Sequence, residues 1–190
     1  MTGPATAGCP GRAGLTNLAG GLQNTRWRRA RREGSAHQEV VVVHVYYSRV
    51  LDAPVGKVWE VVGDFASLPR WCPFIDSSDL SEGGGPKQVG TVRTNHFSDG
   101  TVGIEKLTEL SDRDRRVVYD IIGGDPPVDG FTAVITVHEV SEGNRSFVAW
   151  SAAFDATGDA GAVADWVRTG IFRACLAELE RVLAGEARRA

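Results

Sequence analysis

Two residues in this chain are spaced so that they could do chemistry together: Arg93 in Gly90-Thr91-Val92-Arg93 and Glu105 in Ile104-Glu105-Lys106-Leu107. The segment from Gly90 to Leu107 reads as two strands joined at Ser98-Asp99-Gly100, one carrying the arginine and its neighbour the glutamate. Adjacent strands bring such residues side by side. Turned into a dry space, a carboxylate beside a guanidinium is equipment for moving a proton. Turned outward, the same pair is a surface contact of little energetic weight. Periodicity leaves both orientations open, because Val102, Ile104 and Leu110 share one face while Glu105 shares the other with Gly103 and Leu107. Tyr119 alternates with Val117 and Ile121 on an apolar face, either as a ligand contact or as a buried phenol with its own partner.

Other chemistries find less support. Cys9, Cys72 and Cys175 lie far apart with no C-x-x-C spacing, so neither a zinc site nor a disulfide is expected, and a reducing, cytoplasmic setting is the default. Cys175 lies mid-helix with no base arranged to make it a nucleophile. His96 and His138 each stand without a ligand-spaced partner, and no metal is expected. Gly83-Gly84-Gly85 opens no helix and is read as a turn rather than a phosphate cradle. With no nucleotide or acyl-transfer fingerprint present, no cofactor is expected either.

The chain has 190 residues, enough for one domain with some surplus. Net charge is −3, but residues 1–33 hold six arginines and one acid, so the rest of the chain carries −8. So acidic a body argues against nucleic acid as the main partner. No apolar run approaches the length of a membrane span. Residues 1–37, rich in Gly, Ala and Arg, read as a disordered basic leader. Its Arg26-Trp27-Arg28-Arg29 cluster could touch RNA, lipid or an acidic partner, or belong to a transit peptide, but a solvated tail is the simpler reading. The absence of an apolar run after the arginines argues against a secretory or twin-arginine signal.

A β-branched, aromatic run over 38–51 predicts a first strand, and Pro54 followed by Val55, Val58, Trp59 and Val62 predicts a short helix closed by Gly63. A second helical turn is expected over 67–71. Strands follow at about 74–81, 89–97, 101–110, 115–122, 130–140 and 146–154, with turn-rich stretches between them. Over 160–184, Val163, Val167, Ile171, Cys175 and Leu179 recur every fourth residue, the mark of one long amphipathic helix. The resulting α+β architecture is a seven-stranded, curved antiparallel sheet around a C-terminal helix, with two short helices after the first strand and the first strand paired to the last. Seven strands cannot all pack tightly on one helix, so an internal cavity is expected. Phe131, Ala133 and Trp150 from the strands and Val167, Ile171 and Cys175 from the helix would line it.

The ordered set Ala53-Pro54 with Val58-Trp59, Gly63-Asp64-Phe65 to Leu68 and Trp71, Gly90-Thr91-Val92-Arg93, Glu105-Lys106-Leu107 and Ile122-Gly123-Gly124-Asp125 resembles the START-like (SRPBCC) helix-grip superfamily of polyketide cyclases/dehydrases and lipid-transport proteins. The resemblance spans about 39–184, within a ligand-binding domain drawn at 38–186. It is most similar to the branch that holds lachrymatory factor synthase and the plant abscisic-acid receptors. That resemblance implies that Arg93 and Glu105 face the cavity and, as in the synthase, take part in proton transfer. It places a gate at Phe97 to Thr101 and a latch at Pro126-Pro127-Val128, stiffened by its prolines. Two positions depart from the branch. Asp76 stands in Phe74-Ile75-Asp76-Ser77 where the receptors carry a carboxylate-binding lysine, which would repel an acid ligand; Phe131 stands where the branch has a tyrosine, leaving Tyr119 as the remaining phenol.

The expectation is a cyclase/dehydratase (a lyase) or an isomerase that works without a cofactor on a small hydrophobic or amphipathic molecule. Glu105 is the base, Arg93 steadies an oxyanion and Tyr119 donates a hydrogen bond. Asp76, Phe97, Phe131, Ala133, Trp150, Val167, Ile171 and Cys175 are the candidate ligand contacts. The alternative is a non-catalytic carrier or sensor built on the same pair. Substrate identity and oligomeric state have no signature in the sequence.

Overall fold

The run Val41–Leu51 is mostly β-branched or aromatic, and a run of that kind is stable only when paired along its length and covered on one side. In the computed structural model, which describes residues 41–125, 128–156 and 159–188, this strand (β1) pairs antiparallel with the last strand from Val41 opposite Ala156 to Leu51 opposite Ser146. The basic leader 1–37 and the latch prolines Pro126 and Pro127 lie outside the described residues. The remaining strands are β2 (Ile75–Leu80), β3 (Val92–Phe97), β4 (Val102–Ser111), β5 (Arg116–Gly124), β6 (Asp129–Val140) and β7 (Arg145–Ala156). They form one seven-stranded antiparallel sheet in the order β1-β7-β6-β5-β4-β3-β2. Consecutive strands are neighbours except where β1 closes on β7, as the meander and first-to-last pairing predicted.

Between β1 and β2 lie helix α1 (Val55–Val62) and a 3₁₀ turn (Leu68–Arg70). Pro54 fits just before the helix because its missing N–H is not needed there. Hydrogen bonds then pin this corner: the Trp71 indole donates to Ser67 Oγ at 3.1 Å, and the Ser67 hydroxyl donates to the Val61 carbonyl at 2.6 Å. Trp59 reaches across to Asp112 at 2.7 Å, and Ser146, fully buried, donates to the Ala53 carbonyl at 2.7 Å. The two short helices are thereby fixed to the sheet.

The C-terminal helix begins at α2 (Ala160–Asp165), where the Asp159 carboxylate accepts from the Ala162 N–H. It passes through a π-helical stretch (Trp166–Phe172) into α3 (Arg173–Ala187). The π stretch changes which residues face the sheet. A strict four-residue stride from Val167 would bury Ile171, but the wider turn moves the inward position one residue on, so Phe172 is buried and Ile171 is only half-buried. Below it Cys175, Leu176, Leu179 and Leu183 continue the buried stripe.

Cysteine pairing also departs from expectation. Cys72, just past the 3₁₀ turn, and Cys175, in α3, form a disulfide with 4.5 Å between their Cα atoms and 103 residues between them in sequence. Sequence spacing hid this, because only the packing of the helix on the α1 corner brings the two together. Cys175 is therefore a cross-link and not a free thiol lining a cavity.

A bridge closing so long a loop restricts the unfolded chain strongly. Reduction, or the double substitution Cys72→Ser/Cys175→Ser, is expected to lower unfolding free energy by about 2–4 kcal/mol. Urea titrations of the oxidised protein, the reduced protein and the double variant should place the last two at the same lower midpoint; three equal midpoints would show that the cross-link contributes nothing.

Candidate functional site

Antiparallel pairing of β3 with β4 sets Arg93 directly opposite Glu105. Both side chains lie on the covered face, with Arg93 4% and Glu105 8% exposed, in line with Gly103 and Leu107. Arg93 Nε donates to Glu105 Oε2 at 2.7 Å and Nη2 approaches the same oxygen at 2.5 Å. Nη1 donates to the Phe65 carbonyl at 2.7 Å. The guanidinium carbon sits 4.0 Å from the Phe65 ring centroid and 5.3 Å from that of Tyr119, so aromatic faces replace part of the lost hydration. Every one of these contacts with Glu105 uses Oε2. Oε1 makes no hydrogen bond to a described residue.

Tyr119, opposite Leu107 on β4 and Ala133 on β6, is 4% exposed. Burial pushes its phenol well above the ordinary tyrosine range, and the charge of Glu105 adds to the push. Arg93 and the Trp150 indole N–H act the other way but do not offset it. Tyr119 is therefore a neutral hydroxyl, able to donate. Although the Trp150 N–H is near enough to influence the phenol, it makes no fully formed hydrogen bond to a described residue.

Aromatic rings surround this polar group. Trp150 stacks on Phe172 at 4.3 Å and tilts against Trp71 at 5.5 Å, while Phe131 stacks on Phe154 at 5.5 Å. Ala133 and Ala152, opposite one another on β6 and β7, keep the floor between these rings low. Val167 is buried on the helix facing them. At the end of β3, Phe97 stacks on Phe74 with rings 6.2 Å apart, and the missing side chain of Gly103 leaves room for its ring. Beyond lies the turn over 98–100, and the end of β5 is anchored where Asp125 Oδ2 accepts from the Val102 N–H at 3.1 Å. Gly124 permits that approach: at φ +99° it passes so close to the Val102 carbonyl that a Cβ would sit 2.2 Å from its oxygen.

Three candidates are not brought to this group. Asp76 lies at a register shift in β2 and is exposed, so it can neither line the interior nor repel a ligand there. Ile171 is displaced by the π turn, and Cys175 is consumed in the disulfide. His96 does have a partner, Asp79 at 2.9 Å, but on the exposed side of the sheet. Two clefts, of about 320 and 230 Å³, open elsewhere: one on the outer sheet face at His44, Tyr46, Thr132 and Ser151, the other beside Leu51, Ala53, Glu180 and Leu183. Neither reaches Arg93 or Glu105, around which the rings of Phe65 and Tyr119 take up the space.

Sequence reasoning missed Phe65, Phe172 and Asn95. Asn95 was within reach of it, since two residues after Arg93 on a strand must share its face. Phe65 stands in the Gly63-Asp64-Phe65 run of the resemblance, but no local pattern shows that its carbonyl, in the loop after α1, reaches Arg93.

The family described as polyketide cyclase/dehydrase and lipid transport matches residues 42–184, and the chain belongs to it. Among its relatives are the Arabidopsis thaliana abscisic acid receptors PYL7, 29% identical over 101 residues (52% of this chain, 46% of the receptor), and PYL6, 32% identical over 114 residues (56% and 52%). The chain thus aligns with about half the length of these receptors. Solved structures extend the likeness: XoxI of Bacillus cereus has 31% identity and a TM-score of 0.68, covering 75% of this chain and 96% of that one. A Bacillus thuringiensis protein has 33% identity and a TM-score of 0.67, covering 75% and 99%.

Two outcomes test the electrostatics. Glu105→Ala, which strands a buried guanidinium, should cost about 3–5 kcal/mol of stability, whereas Arg93→Met/Glu105→Leu should recover most of that loss. Because Tyr119 stays neutral in the fold but ionises near pH 10 once unfolded, stability contributed by its burial should fall as pH rises above about 10. Urea midpoints at pH 8 and pH 10.5 should show a drop that is smaller in Tyr119→Phe; equal drops would remove the phenol from the account.

Proposed function

We propose that this chain binds a small apolar or amphipathic molecule between the sheet and the C-terminal helix and moves a proton on it, as a cyclase/dehydratase or an isomerase. One observation supports this most: a buried carboxylate whose Oε2 is held by Arg93 while Oε1 accepts no hydrogen bond from a described residue. Glu105 Oε1 would take the proton. Arg93, fixed by Glu105 and the Phe65 carbonyl, would face the oxygen on which charge develops, and neutral Tyr119 would donate to it. The surrounding rings and alanines would exclude water and select an apolar body.

Ligand entry requires the interior to open, and the Phe74–Phe97 stack at the gate is the element whose displacement would uncover Gly103. Abscisic acid is not the proposed ligand. The segment Phe74 to Ser77 supplies no ammonium, and the charge of Arg93 is already met by Glu105. A carrier or sensor is the second reading, favoured by the phenylalanine at 131 and by the likeness to receptors.

Deuterium exchange separates the two. Metabolites extracted from the source cells, incubated with the protein in deuterated water, should include one that gains deuterium or changes mass with wild type and not with Glu105→Gln. A metabolite that is retained by the protein but returns unaltered would establish the carrier and exclude proton transfer.

A further inference from the structure

Asn95 is wholly buried, and only half of its amide is satisfied. The Ser78 hydroxyl on β2 donates to Oδ1 at 2.6 Å, and Nδ2 is left with no partner among the described residues. Buried amides that serve packing alone are normally paired at both ends, since an unmet N–H in the interior is destabilising. Asn95 shares a face with Arg93 and lies one strand repeat, roughly 7 Å, further along β3. Across from it on β4 is Gly103, with no side chain to occupy the space, covered instead by the Phe97 ring.

We infer that Asn95 is a specificity residue: its free N–H receives an oxygen acceptor, a carbonyl or ether, carried by the ligand at a distance from the atom facing Arg93 and Glu105. This deepens the proposed function and rests on its interior binding site. The ligand class that fits is an apolar body with two separated oxygen functions, one at the charged pair and a neutral acceptor seated over Gly103. Ser78 is a positioning residue, since its hydroxyl holds the amide in place at 2.6 Å. An acid would be read poorly at this second point, because an amide N–H offers no charge.

The matched probes 2-acetylnaphthalene and 2-ethylnaphthalene differ chiefly by a carbonyl, and their binding can be followed by fluorescence and calorimetry. Wild type is expected to bind the ketone roughly tenfold more tightly than the hydrocarbon, and Asn95→Leu to bring the two within about twofold. Thermal unfolding of the free protein should rise in Asn95→Leu, because an unmet polar group is replaced by an apolar one of similar size. A ketone preference that survives in Asn95→Leu, or a lower melting temperature in that variant, would overturn the role of Asn95 while leaving the binding site intact. Failure of wild type to bind either probe would overturn the interior site itself, and this inference with it.

Discussion

The ion pair between Arg93 and Glu105 is the contact on which the rest of the interior depends. Removing two charges from water is tolerable only when nearly every donor finds an acceptor and the geometry is fixed. Here the guanidinium gives two N–H groups to Glu105 and one to the Phe65 carbonyl, and lies against two rings. The Phe65 carbonyl is available only if the loop after α1 lies over the sheet. That loop is held by Ser67 and Trp71, whose ring packs on Trp150, which in turn stacks on Phe172 of the C-terminal helix. A change at the pair is therefore felt along a continuous line of contacts from β3 to the helix.

The helix is adapted to that arrangement. An unbroken α-helix would present Ile171 toward Trp150; the π stretch presents Phe172 instead and leaves Cys175 facing Cys72. The cross-link then ties helix to corner at the position where both meet the aromatic wall. Expectation of a reducing compartment rested on cysteines that could not pair, and with the bridge formed that basis is gone.

Within a fold shared with its relatives, the chain's individuality lies in which polar groups its interior leaves unmet. Asn95 Nδ2 and Trp150 Nε1 are such groups among the described residues, on the same covered face as the Arg93–Glu105 pair. A core built for stability alone would replace or pair them. They lie among Ala133, Ala152 and Gly103, the small residues of the same face, so this interior differs from one packed for stability alone.

The elements and their order were legible in the residues: alternation marked the strands, Pro54 and Gly63 bounded the first helix, and the facing positions of Arg93 and Glu105 followed from two strands around one turn. Such features depend on local periodicity, which is written residue by residue. It took the packing of distant elements to bring the pair onto the covered face, to set Asp76 outside it, to exchange Ile171 for Phe172 at a π turn and to bring Cys72 to Cys175. Each of these depends on how one element rests against another far away in sequence. A two-residue period reports that a strand has two faces; it is the helix laid across the sheet that makes one of them dry.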